Sequence, residues 1–206
     1  MCFKKIFNNT GRPEGFLGKM MLKGMNIGHA KTADWGISQL KNLSFDRIVD
    51  IGCGGGYAMG ELLRKYPNSK VLGVDYSPLS VEQSSKYNAK FIEEKRCKVV
   101  QGDVSNLNLE KEQYDLATAF ETVYFWPGLE KCFKEVYDIL KAGGTFMIVN
   151  ESNGLDKSSL QFEKIIDGMK VYTADDISKA LGNVGFLNIE VKRHAKKPWL
   201  TIIAKK

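Results

Sequence analysis

Val49-Asp50-Ile51-Gly52-Cys53-Gly54-Gly55-Gly56 runs from a short β-branched stretch straight into four glycines within five residues. A strand-to-helix turn needs fewer glycines than this. Without Cβ atoms, the loop lets a ligand approach the main chain and the N-terminus of the helix that follows. Outward from the loop, residues 47–51 read as a first strand. Residues 70–75, 97–101, 114–120 and 145–150 supply four more, separated by amphipathic stretches. That alternation predicts βα units and an α/β fold with a doubly wound, mostly parallel sheet.

The punctuation between strands is local chemistry. Ser77 before Pro78 places a capping hydroxyl and a pre-set φ at a helix start, and that helix is expected to run to about Glu93. Pro127 is expected to open the next helix. There Leu129, Cys132, Phe133, Val136, Tyr137 and Leu140 recur at helical spacing, and Gly143-Gly144 ends it. Beyond residue 150 the reading is a loop at Ser152-Asn153-Gly154, a helix over 174–181, and a two-faced strand with Leu187, Ile189 and Val191 inward. A last strand over 199–204 pairs antiparallel with its predecessor. The first 46 residues read as helical with glycine interruptions. The expected organisation is one domain over 1–206: a helical N-terminal cap (1–46), a ligand-binding core (47–150) and a C-terminal helix with antiparallel strands (151–206), about seven strands in all.

Spacing narrows the ligand. A dinucleotide fingerprint starting at Gly52 requires a small residue where Tyr57 stands, and one starting at Gly54 requires it where Met59 stands. No Gly-Lys-Ser/Thr ending follows, so a phosphate-cradling loop is excluded as well. Asp75 closes the second strand 19 residues after Gly56, where a carboxylate can accept both hydroxyls of a ribose. Asp50 ends the first strand, where a cationic amine can use it. The ligand outlined has an adenosine-like end, an amino-bearing end and no phosphate.

Five stretches in order, residues 49–56, Val74-Asp75-Tyr76-Ser77, Gly102-Asp103-Val104, Tyr114-Asp115-Leu116 and Leu140 to Thr145, resemble the class I S-adenosylmethionine-dependent methyltransferases, which have a Rossmann-like fold. The resemblance covers about residues 44–150. It implies S-adenosyl-L-methionine as cofactor. It also implies that Asp50 and the loop of Gly52, Cys53, Gly54 and Gly56 hold the methionine amine and carboxylate, that Asp75 holds the ribose, and that Tyr76 packs on adenine. By the same resemblance Asp103 and the Val104 amide read the adenine edge, and Phe120-Glu121-Thr122 lies beneath the methyl group. A small-molecule acceptor is expected, because chain outside the core sets the substrate in this family and the insertions here are small.

Alignment of the acceptor with the methyl group supplies much of the catalysis in such an enzyme, and a carboxylate or histidine helps where the acceptor must lose a proton. Glu121, after the fourth strand, and His29, in the cap, are the candidates. A lining or helix-entry role for Glu121 and a helix-capping or surface role for His29 are the plainer alternatives. Tyr124, Phe125 and Trp126 are core packing or acceptor-pocket wall. Met20, Met21, Leu22 and Met25 are lid or plain packing. No Asp/Asn-Pro-Pro-aromatic motif follows the fourth strand, against a DNA amino-methyltransferase. Cys132 falls on a buried helix face, against an RNA cytosine-C5 enzyme. Transfer to rRNA or protein through basic termini, or cofactor binding by a regulator without turnover, are the competing readings.

Composition agrees with a globular chain: 206 residues, 43% hydrophobic and 26% charged, excluding disorder and a coiled-coil rod. No apolar run suggests a membrane span or signal segment, so the expected location is the cytoplasm. Cys2, Cys53, Cys97 and Cys132 lie far apart and the two histidines stand alone, so neither a zinc-ligand spacing nor a disulfide framework is present, no metal is expected, and the thiols read as reduced. The net charge of +6 sits at the ends: residues 1–24 carry five basic and one acidic, residues 192–206 six basic and none acidic. Such ends read as solvated tails and strand edges, with a phosphate backbone or acidic surface as the alternative partner.

Overall fold

The computed structural model describes Gly11, residues 13–41 and residues 43–206. Cys2 and the other residues of 1–10, Arg12 and Asn42 lie outside the described residues. Two helices, α1 (Gly15–Gly28) and α2 (Ala30–Ser38), precede the sheet. The core then alternates β1 (Arg47–Ile51), α3 (Tyr57–Lys65), β2 (Lys70–Asp75), α4 (Pro78–Tyr87), α5 (Ala89–Glu93), β3 (Cys97–Gln101), β4 (Tyr114–Phe120), α6 (Leu129–Ile139) and β5 (Leu140–Asn150). Helices α7 (Lys157–Ile165) and α8 (Ala174–Val184) and strands β6 (Leu187–Arg193) and β7 (Leu200–Lys205) complete it.

The strands form one sheet in the order β3-β2-β1-β4-β5-β7-β6. β1 to β5 pair in parallel, whereas β7 runs antiparallel to both β5 and β6. The chain winds outward from β1 to β3, then crosses back to β4, so the switch point lies between β1 and β4 at their carboxyl ends. Period-two alternation divides the core. Val49, Ile51, Phe146 and Ile148 pack with Phe133, Val136 and Ile177 on one face, and Ile48, Met147 and Val149 pack with Ile37, Leu62 and Leu63 on the other. Strands buried on both faces explain the near-continuous apolar runs of β1 and β5.

Ser77 caps α4 as its sequence predicts: its Oγ accepts the Ser80 N–H and donates to the Pro13 carbonyl at 2.9 Å, which also fastens the cap to the sheet. The expected helix over 78–93 breaks at Asn88. The buried Asn88 amide donates to the carbonyls of Gly56 and Ser84 at 3.0 and 3.1 Å, a tertiary contact no propensity encodes. Pro127 does not occupy the first turn of α6, because Gly128, at φ 93°, stands between them as N-cap. Gly143-Gly144 does not end that helix either. Leu140 turns extended (ψ 141°), and both glycines lie in β5, where a register shift opposite Tyr114 and Leu116 accommodates them. Leu187 is 64% exposed instead of inward. A register shift between Leu187 and Glu190, with Asn188 at φ 47°, rotates it off the core while Ile189 and Val191 keep packing against it. Helix α7 escaped the sequence reading, although Asp156 caps it by accepting the Ser159 N–H at 2.9 Å.

Candidate active site

A cavity of about 350 Å³ opens at the carboxyl ends of β1, β2 and β4 and is roofed by α1 and the start of α2. The topology puts it there: the helices after β1 and β4 leave on opposite faces of the sheet and part at the switch point. Three of the loop's glycines, Gly52, Gly54 and Gly55, shape its floor. Gly52 (φ 76°) runs so near Thr122 that a Cβ would lie 2.1 Å from its Oγ1, and Gly55 abuts Asn26, whose amide donates to the Gly55 carbonyl at 2.9 Å. Gly54 (φ 51°) is different, since a Cβ there would meet no atom within 4 Å. Its bare main chain faces open space, as a ligand cradle requires. Gly56 (φ 85°) lies behind the loop against Ser84 and Asn88 and does not line the cavity.

Two aspartates flank this cradle. Asp50 is 1% exposed and accepts a 2.7 Å hydrogen bond from the Thr118 hydroxyl. Burial, opposed by that bond and reinforced by the charge of Asp75, pushes its carboxyl up to about 7. The Asp75 carboxylate accepts the N–H groups of Gly54 and Ser77, each at 2.9 Å, and burial raises it too. Tyr76, Asp103, Val104 and Phe120 line the same cavity. Tyr76 is 41% exposed, with its hydroxyl bonded to the Gly11 carbonyl. Cys53 also lines it, but burial raises its thiol, which makes it a packing residue and not a nucleophile.

Both candidate catalytic residues line the cavity, and behind them, against His29 and Thr32, stands one the sequence reading passed over, Glu151. Glu121 follows β4 in the left-handed region (φ 56°), where its N–H donates to the Val149 carbonyl at 2.9 Å. Burial lifts its carboxyl to about 8; nearby His29 lowers it and Glu151 raises it. His29 sits at the junction of α1 and α2, C-cap of the first and N-cap of the second, so it does occupy the capping position considered above, although only its backbone N–H, to the Met25 carbonyl, and not its side chain makes a capping bond. Its Nδ1 lies 3.4 Å from Glu151 Oε2. Burial works against its charge, but Glu151 and Glu121 outweigh that and raise its pKa. Glu151, just past β5, is held below the ordinary range against its burial by His29 and by Thr32, whose hydroxyl donates to Oε1 at 2.8 Å. Its position as an acid at the carboxyl end of a strand is the same cue that pointed to Asp50 and Asp75.

Of the aromatic run, Phe125 and Trp126 line the cavity, while Tyr124 is buried with its hydroxyl accepting the Ser152 N–H at 3.2 Å. Trp126 also stacks on Phe146, so wall and core are one surface. From the cap, Leu22, Met25 and Asn26 line the cavity, whereas Met20 is 60% exposed. Asn26 had no cue in the sequence, because its contact with Gly55 spans 29 residues.

Residues 48–144 match the family model described as "Methyltransferase domain". The chain is 27% identical over 149 residues to a sterol 24-C-methyltransferase of Candida albicans, covering 68% of this chain and 39% of that one. It is 28% identical over 170 residues to an uncharacterized methyltransferase, YdaC, of Bacillus subtilis, covering 82% and 87%. The chain thus spans about two fifths of the length of the sterol methyltransferases it matches. Among solved structures, a SAM dependent methyltransferase from Aquifex aeolicus superposes with a TM-score of 0.74 at 14% identity, over 90% of this chain and 97% of that one.

Proposed function

We propose, from the premise that this chain carries a class I S-adenosylmethionine-dependent methyltransferase domain, that it transfers the cofactor's methyl group to a small-molecule acceptor at the Glu121 end of the cavity. The carrying observation is one cavity in which two buried strand-end carboxylates flank the bare main chain of Gly54, with a third carboxylate, Glu121, at the opposite wall. S-adenosylmethionine is the cofactor, and the residues present fit it. Asp50 is a buried acid with a single hydroxyl partner, which suits a cationic amine. The Asp75 oxygens accept one amide each and keep lone pairs for ribose hydroxyls. In this reading Gly52, Cys53 and Gly54 cradle the carboxylate end, and Tyr76, Asp103 and Val104 surround the adenine.

When bound, the cofactor supplies a methyl group on a sulfonium sulfur, ready for in-line displacement. The chain's part is alignment, for which proximity accounts for ~7–11 kcal/mol of barrier. Phe125 and Trp126 wall the acceptor, and the group formed by Glu121, His29 and Glu151 is where its proton is lost. The sterol acceptor named for the Candida relative and the modest chain outside the core support a small acceptor. Residues 1–206 are then one methyltransferase domain with its cap and C-terminal strands. Among the described residues no helix is long and apolar enough to cross a membrane, and Cys53, Cys97 and Cys132 are buried free thiols. The reduced thiols support a cytoplasmic location.

Incubating the protein with methyl-labelled cofactor and fractionated cell extract tests the reading. Label is expected in small molecules; label confined to RNA or protein, or none at all, overturns it. Cofactor affinity should also depend on pH with a definite sign. Asp50 is protonated below about 7 in the free protein, and an amine partner needs it ionised. Affinity therefore falls as pH drops below that value, by up to about tenfold per unit, with release of one proton on binding. Calorimetry in buffers of different ionisation enthalpy measures both, and a flat affinity between pH 5.5 and 7 would remove Asp50 from the amine site.

A further inference from the structure

We propose that His29, Glu121 and Glu151 hold a divalent metal ion whose open coordination position faces the cavity. The three donors come from separate segments, the junction of α1 and α2, the end of β4 and the end of β5, yet their ligand atoms all lie within 4.8 Å of one another. The His29 Nδ1 to Glu151 Oε2 separation of 3.4 Å equals the edge of a tetrahedron with bonds of ~2.1 Å. Glu121 Oε1 is buried without a hydrogen-bond partner, and His29 Nδ1, equally buried, has only Glu151 Oε2 at 3.4 Å beside it. A buried carboxylate oxygen is rarely left so, and a cation at the point where it converges with the imidazole and Glu151 satisfies it. The charges also balance: a bound divalent ion holds both carboxylates ionised and neutralises them.

The surroundings are those of a supported site. Thr32 fixes the second oxygen of Glu151 at 2.8 Å. Glu121 is aimed by a left-handed backbone, φ 56°, a conformation a glutamate adopts only where its surroundings impose it. Asn26, one turn before His29, anchors the end of α1 to the Gly55 carbonyl. Such outer contacts set ligand orientation. One imidazole with two carboxylates suits zinc, iron(II), cobalt(II) or manganese(II). Resting on the methyl-transfer reading, the ion would take an acceptor with a hydroxyl or carboxylate oxygen. Ligation lowers the hydroxyl's pKa, its proton passes to water, and the oxygen is held at the methyl-transfer end.

The test is titration of the chelator-treated full chain with Co²⁺ alone, read by visible d–d absorption and metal analysis. One Co²⁺ per chain is expected. Glu151→Gln and His29→Gln should each weaken binding by ~10-fold or more, while the metal-free melting temperature and the affinity for S-adenosylhomocysteine stay near wild type. Absence of Co²⁺ binding, or equal binding by the variant carrying both changes, overturns the proposal. Cobalt bound by a chain that binds no S-adenosyl ligand would uphold the metal site and overturn methyl transfer. The S-adenosyl ligand bound without cobalt overturns the metal site and leaves methyl transfer standing.

Discussion

Glu121→Gln lowers turnover by ~100-fold or more while S-adenosylmethionine affinity stays within a few-fold of wild type, the range ascribed to losing a group that manages a transferred proton. The amide keeps the volume and the contacts of the side chain and removes only its capacity for negative charge. That capacity is needed whether Glu121 takes the acceptor's proton directly or ligates an ion that acidifies the acceptor. The side chain stands among His29, Glu151 and Tyr124 in an enclosed wall, where solvent cannot replace the lost charge. A residue that only lined the pocket would raise the acceptor's Michaelis constant and spare turnover. Steady-state kinetics with the acceptor found by labelling separates the two outcomes, and near-normal turnover would remove Glu121 from the chemistry.

Asp75→Ala weakens cofactor binding by ~1.5–3 kcal/mol, about 10- to 150-fold, the scale of hydrogen bonds to a charged group. Sequence alone suggests that folding barely changes in this variant. The structure revises that: the carboxylate accepts the Gly54 and Ser77 amides, so truncation strands two enclosed N–H groups. A loss of ~1–3 kcal/mol of stability accompanies the binding defect. Asp75→Asn isolates the ribose contact, because its amide oxygen still accepts one of those N–H groups. Calorimetry and thermal melts are to be read together. Full cofactor affinity in Asp75→Asn would show that Asp75 serves the loop and not the ribose.

Much of the scaffold was legible because it depends on local rules. The first four strands fall on the residues expected, since β-branched runs bounded by glycine and polar turns have no competing helical period. The glycine loop was readable for a similar reason: four glycines in five residues have no cheaper explanation than backbone that must bend left or stand bare. Failures cluster where a distant contact overrode a local cue. Asn88 breaks a helix by reaching Gly56, and Leu187 leaves the core through an irregular pairing with β7.

The site divides along the same line. Asp50 and Asp75 could be picked from sequence, because strand ends after parallel β-strands converge by topology, and spacing along the chain then stands in for distance. Glu151 obeys that rule and was missed, since no motif surrounds it. His29 and Asn26 obey no such rule. They belong to a cap whose docking is set by contacts such as Ser77 to Pro13 and Asn26 to Gly55. Sequence therefore determined the sheet and its glycine loop, each written in short-range pattern. Only the tertiary structure decided that His29, Glu121 and Glu151, spread over 123 positions, share one point at the cavity's edge, because proximity and charge depend on what folds over a residue and not on its neighbours in the chain.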